Sequence, residues 1–144
     1  KQNFDGENGY MEQQGRKIPM DDATLSARKS TKGLFEELFI EASTMELESM
    51  MTIDGTDVYN IKVMKDDKSS FRYYDVKTGY LLRTEETTET QGQSVTTVTD
   101  YSNYKAVDGV MMPYTMKVTA GPQVFVFETT EAKINEGVTD ADFN

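Results

Sequence analysis

Apolar and polar positions alternate in short runs over most of the chain beyond about residue 45. Tyr114, Met116 and Val118 alternate with Thr115, Lys117 and Thr119. A period of two puts the first set on one face of a strand and the second on the other. Gly121-Pro122 interrupts this run, and Val124 to Phe127 resumes as a denser apolar stretch. Read the same way, strands are expected over residues 45–53, 59–63, 71–76, 80–90, 93–104, 114–119 and 123–134. In the first of these, Met45, Leu47, Met51 and Ile53 alternate with Glu46, Glu48 and Thr52. Asp54-Gly55, Asp66-Asp67-Lys68-Ser69, Lys77-Thr78-Gly79, Gln91-Gly92 and Asp108-Gly109 read as the turns between them. Gly79 and Gly109 stand where the chain reverses, so positive φ is expected at both. The pattern is that of an antiparallel meander with one apolar face.

The first third of the chain has a different rhythm. Asp5-Gly6 and Asn8-Gly9 are turn pairs, residues 9–12 are extended, and Gln14-Gly15 turns again. A helix is expected over 22–32, with Asp21 or Asp22 as N-cap and Gly33 as its stop. Arg28, Lys29 and Lys32 fall at its C-terminal, negative end. Residues 34–40 form a second short apolar segment, helix or loop, with Leu34, Phe35, Leu38 and Phe39 at helical spacing. That face is expected to cover the sheet. Near the end, 140–143 is expected to return one aromatic to the sheet.

Composition narrows the chemistry mainly by what it lacks. The 144 residues contain no Cys and no His. That excludes disulfides, zinc–thiolate and histidine zinc sites, a Cys nucleophile and a Ser-His-Asp triad. No cofactor is expected. With 25 acidic and 15 basic residues the net charge is −10, which repels nucleic acid and anionic membrane surfaces. No apolar run reaches the roughly 18 residues of a bilayer span. One domain is the expectation at this length, and a chain that starts at Lys1 reads as a processed product or an excised fragment.

A few local motifs resemble catalytic ones. Ser26-Ala27-Arg28-Lys29 and Lys77-Thr78-Gly79 match pieces of the penicillin-recognising enzymes. The third piece would be Ser102-Asn103, which follows the Lys-Thr-Gly where it should precede it. A solvated helix face and a β-turn account for both better. Asp54-Gly55-Thr56-Asp57 scrambles an aspartic-protease triplet and has no second copy to share a proton with. Asp66-Asp67 lacks the spacing of a calcium loop. Glu85, Glu86 and Glu89 are read as solvated acids on a strand. Nothing selects one carboxylate pair for hydrolysis from the 25 present.

An ordered set of segments does carry a resemblance. Phe71-Arg72-Tyr73-Tyr74-Asp75-Val76-Lys77-Thr78-Gly79-Tyr80-Leu81-Leu82-Arg83 resembles the hairpin of outer-membrane lipoprotein-sorting (LolA/LolB-like) proteins. Asp100-Tyr101-Ser102-Asn103-Tyr104-Lys105-Ala106-Val107-Asp108-Gly109-Val110-Met111-Met112-Pro113 is similar to their next signature. Ile134-Asn135 with Asp142-Phe143 resembles the closing segment, and Asp5-Gly6-Glu7-Asn8-Gly9-Tyr10 the family's Asp-Gly, Gly-aromatic strand. The hairpin over 53–63 fits as well. The resemblance runs from Phe4 to Phe143. The version that fits best is the appendage found downstream of insulinase-type zinc peptidases in Bacteroidetes-like bacteria.

What the resemblance implies is a mainly β (α+β) fold, a strongly curved antiparallel sheet forming a half-open barrel, with helices across its concave face. It implies a single domain over 1–144 that lacks the family's N-terminal helix and first strands. In the lipoprotein carriers the apolar concavity holds acyl chains. The implied function is a non-catalytic, extracytoplasmic domain, periplasmic or associated with the outer membrane, that binds an apolar ligand or a lipidated partner. The alternative is an accessory or docking domain of a larger insulinase-type zinc peptidase. This chain cannot itself supply that peptidase's His-x-x-Glu-His ligands, having no histidine. A third reading is a carboxylate-based hydrolase. The residues expected to line an apolar pocket wide enough for an alkyl chain are Leu34, Phe35, Leu38, Phe39, Met116, Val118, Phe125 and Phe127.

Overall fold

The computed structural model describes residues 2–30, 36–65, 68–90, 93–134, 136–137 and 139. The chain divides into two compact units, one of Lys1–Ile40 with Asn135–Asn144 and one of Glu41–Ile134. Among the described residues no helix is long and apolar enough to cross a membrane.

In the first unit, strands β1 (Gln2–Phe4), β2 (Gly9–Gln13) and β3 (Arg16–Pro19) form an antiparallel sheet in that order. The Asp5 carboxylate accepts the N–H groups of Glu7 and Asn8 at 2.8 and 2.7 Å, and this closes the first turn. Gln14 and Gly15 both take positive φ, 51° and 77°, as a two-residue hairpin demands. Helix α1 covers Asp22–Ser30. Its N-cap is Asp21, whose Oδ1 accepts the Thr24 N–H at 2.7 Å. Arg28 and Lys29 sit in the last turn, against the negative end of the helix. Residues Glu36–Phe39 form a single turn of 3-10 helix. The short strands β1 and β3 were not expected from the sequence. The expected helix stop at Gly33 and the aromatic Phe143 lie outside the described residues, as do the turns at Asp66-Asp67 and Gln91-Gly92.

The second unit is the meander. A 3-10 turn at Ala42–Thr44 leads into β4 (Met45–Ile53), β5 (Thr56–Lys65), β6 (Lys68–Asp75) and β7 (Leu81–Thr90). It continues through β8 (Gln93–Val107), β9 (Val110–Ala120) and β10 (Gln123–Glu128). Each strand pairs antiparallel with its sequence neighbours, giving the order β10-β9-β8-β7-β6-β5-β4. The fold is mainly antiparallel β, and the sheet stays open between β4 and β10, as a half-barrel does. Lys68 and Ser69, expected in a turn, already belong to β6, and the last strand ends at Glu128.

The turns follow residue chemistry. Asp54-Gly55 and Asp108-Gly109 have φ of 48° and 83°, and 48° and 84°. Both central residues of such hairpins need positive φ, which Asp tolerates and Gly adopts freely. After β6 the Asp75 carboxylate accepts the N–H groups of Lys77 and Thr78, at 2.6 and 3.1 Å. Gly79, at φ 73°, then lets Asp75 N–H reach the carbonyl of Tyr80 at 2.9 Å. The Tyr104 ring stacks on Tyr80 with centroids 4.6 Å apart, and its hydroxyl donates to Leu81 O.

Two bulges shift the faces. The register slips by one between Leu47 and Ser49, and again between Tyr73 and Tyr74. A one-residue slip moves every later side chain to the other face. Met45 and Leu47 therefore lie opposite Val63 and Ile61, whereas Met51 lies opposite Val58, on the other face. The sequence expectation of one continuous apolar set along β4 is corrected by this bulge.

Candidate functional site

The candidate site is one face of the seven-stranded sheet. Directly opposed residues of an antiparallel pair share a face. The registers connect Phe125, Val118, Thr99, Thr84, Arg72, Ile61 and Leu47 into one row across all seven strands. A neighbouring row on the same face joins Phe127, Met116 and Tyr101. The alternation in β9 and the dense run in β10 thus bring four of the expected residues together, as the cross-strand pairs Val118–Phe125 and Met116–Phe127. Aromatic–aliphatic pairs of this kind each contribute about 0.2–1 kcal/mol to the sheet.

These pairs are only half covered. Phe125 and Phe127 are 49% and 52% exposed. Full burial of a phenylalanine is worth about 1.5–3 kcal/mol, so each ring keeps apolar surface that an apolar ligand could remove from water. The other end of the row is also apolar and exposed, through Leu47 and, beside it, Met50 and Tyr59. Its centre is not. Arg72 and Thr84 are buried, at 4% and 9% exposure. Arg72 donates from Nη1 to Ser70 Oγ at 3.0 Å. A cation in the middle of the apolar face went unnoticed in the sequence. The signal was present: Arg72 stands two residues from Tyr74 and Ser70, at a position whose parity points to this face.

Of the remaining expected residues, Leu34 and Phe35 lie outside the described residues. Leu38 and Phe39 belong to the 3-10 turn of the first unit and are exposed, Leu38 by 77%.

The opposite face carries a run of charges at its centre. There Val126, Lys117, Asp100, Arg83, Tyr73 and Asn60 follow one another across the strands. Arg83 Nε meets Asp100 Oδ1 at 2.6 Å, with both side chains partly exposed. Burial works against the Arg83 cation, but the bond and the charge of Asp100 outweigh it and hold the guanidinium above its ordinary range. Burial raises the Tyr73 phenol, and the nearby Glu85 carboxylate adds to the effect. Lys62 of β5 pairs with Glu48 at 3.4 Å. This face is charged over β7 to β9, whereas on β5 and β6 it buries Val58 and Tyr73. Among the described residues no group of Asp and Glu side chains is placed to hold a metal ion.

No protein-family model matches the chain. No curated protein matches it either. Among solved structures, the chain is similar to one described as an outer membrane lipoprotein-sorting protein domain from Vibrio parahaemolyticus, with a TM-score of 0.62 and 17% identity. The likeness covers 95% of this chain and 63% of that one, so the chain spans less than two thirds of the length of its structural neighbour. At that identity the likeness is one of fold: the chain has the LolA-like architecture of an open antiparallel sheet.

Proposed function

We propose that this chain is a non-catalytic, extracytoplasmic domain that binds an apolar ligand, such as an acyl chain or a lipidated partner, on the Phe125/Phe127 face of its sheet. The observation that carries the reading is the pairing of Val118 with Phe125 and Met116 with Phe127 on one face, with both rings half exposed. Methionine and phenylalanine give an adaptable apolar surface that suits a flexible chain. The net charge of −10 favours an uncharged tail over an anionic headgroup. The LolA-like fold supports a role in lipid or lipoprotein handling, and with it a periplasmic or outer-membrane-associated site of action.

The test is a fluorescent fatty-acid probe titrated into the folded chain and into Phe125→Asp. Saturable binding that Phe125→Asp weakens at least tenfold supports the reading, and no saturable binding to the wild type rejects it. Repeating the titration with Phe39→Ala asks whether the 36–39 turn takes part.

A second reading makes the chain an accessory docking domain of a larger protein, of the insulinase-type zinc peptidase class. What favours a docking role is the outer side of β10, which pairs with no strand among the described residues and carries four consecutive half-exposed apolar residues.

A further inference from the structure

The two edges of the seven-stranded sheet are protected very differently. β4 carries a bulge after Leu47 and two glutamates, Glu46 and Glu48, the second held to Lys62 at 3.4 Å. Bulges and edge charges blunt a strand that would otherwise pair with another chain. β10 has neither. Its central residues, Val124 to Phe127, are all apolar and between 49% and 58% exposed. Among the described residues no strand pairs with its outer side.

One hydrogen bond fixes which backbone groups of β10 face outward. Thr129 N–H donates to Tyr114 O at 2.8 Å, so residue 129 is turned toward β9. Residues of an antiparallel ladder alternate between facing the partner strand and facing away. Phe127 and Phe125 therefore bond to β9, opposite Met116 and Val118. Val124, Val126 and Glu128 turn their N–H and C=O groups outward. The edge offers three donor–acceptor pairs in a row, with apolar side chains on both faces.

We propose that β10 takes up an extended segment of a partner polypeptide as an eighth strand, the segment being apolar at alternate positions and basic opposite Glu128. In strand addition the main chain supplies affinity and the alternating side chains supply selectivity. Two observations choose this occupant over a second copy of the chain. The charge of −10 makes two copies repel, and Glu128 with the nearby Glu131 makes one end of the edge acidic. The edge is also small: a six-residue strand is about 20 Å long and adds about 5 Å in width. A stable dimer buries about 800 Å² on each partner, far more than this strip provides. A single extended segment needs only the strip. The proposal concerns the main chain of β10 and stands apart from acyl binding on the face.

The probe is a short capped peptide of alternating valine and threonine with a lysine at each end, added to the full chain, with amide hydrogen exchange followed by NMR. The expected result is saturable binding that slows exchange at Val124, Val126 and Glu128 while the β4 amides stay unchanged. The same peptide with glutamate in place of lysine should bind at least tenfold more weakly. Val126→Pro removes the central outward N–H without touching a bond to β9. It should lose at least tenfold in peptide affinity and keep whatever fatty-acid binding the wild type shows. If that variant does not fold, the wild-type exchange map decides alone. Absence of saturable binding, protection elsewhere than β10, or equal binding of the glutamate peptide would overturn the proposal. So would a concentration-dependent dimer in sedimentation with β10 protected, which would give the edge to a second copy.

Discussion

On β10, Phe125 and Val126 are neighbours in sequence and belong to opposite worlds. Phe125 begins a row that runs through Val118 toward a buried Arg72 and ends at Ile61 and Leu47. Val126 begins one that passes Lys117, Asp100 and Arg83. The first row offers apolar surface at both ends; the second starts at Val126, carries the charges Lys117, Asp100 and Arg83, and runs on to a buried Tyr73. Nothing but parity separates them. Whatever fixes the register of the strands therefore fixes which face carries the Phe125 row and which carries the charges.

The sharpest way to break the comparison is to put the same acid on each face in turn. Phe125→Asp should cost at least about tenfold in fatty-acid probe affinity, or about 1.4 kcal/mol. Val126→Asp, one residue on, should leave that affinity within about twofold. Equal losses would mean that the two faces do not differ in function.

The turns that hold the register give an effect of comparable size. Gly79 and Gly109 have φ of 73° and 84°, and a Cβ at either would meet nothing within 4 Å. The cost of Gly79→Val or Gly109→Val is then backbone strain alone, about 1–3 kcal/mol by urea denaturation. Unchanged stability in both variants would show that these turns relax without strain.

Arg83 and Asp100 test the charged row. Both are partly exposed, so a double-mutant cycle should give a coupling below about 1 kcal/mol. Neither single variant should change probe binding. A change in affinity would tie the charged row to the ligand.

The smallest effect is in acid. The N–H groups of Thr78 and Lys77 hold the Asp75 carboxyl below its ordinary 3.8. A folded value depressed in this way stabilises the protein above about pH 3.8 and is lost as the pH falls through the folded value. Asp75→Asn keeps an acceptor for the turn and removes the titration. Its stability should fall less steeply below pH 3.8, as thermal melts across that range would show.

Some of this was legible in the sequence because it is local. Asp54-Gly55 and Asp108-Gly109 force positive φ wherever they occur, so the hairpins could be placed from two residues each. The alternation in β9 continues through a regular ladder into β10, so Met116, Val118, Phe125 and Phe127 could be grouped in advance. The bulge after Leu47 leaves no mark in the alternation itself, and it sends Met51 to the face opposite Met45. Strands β1 and β3 are three and four residues long, and Arg16 and Lys17 give β3 no apolar period to read. Arg72 stands in the sequence only as one residue of the hairpin motif, and only the register shows it buried on the apolar face.

The central claim is that one face of β9 and β10 meets an acyl chain. A spin-labelled fatty acid added to the chain tests it directly, with methyl signals read by NMR along β9 alone. The account predicts strong broadening of the Met116 and Val118 methyls and little of those of Thr115 and Thr119, which alternate with them on the other face. Equal broadening of both sets, or none at saturating ligand, would contradict it.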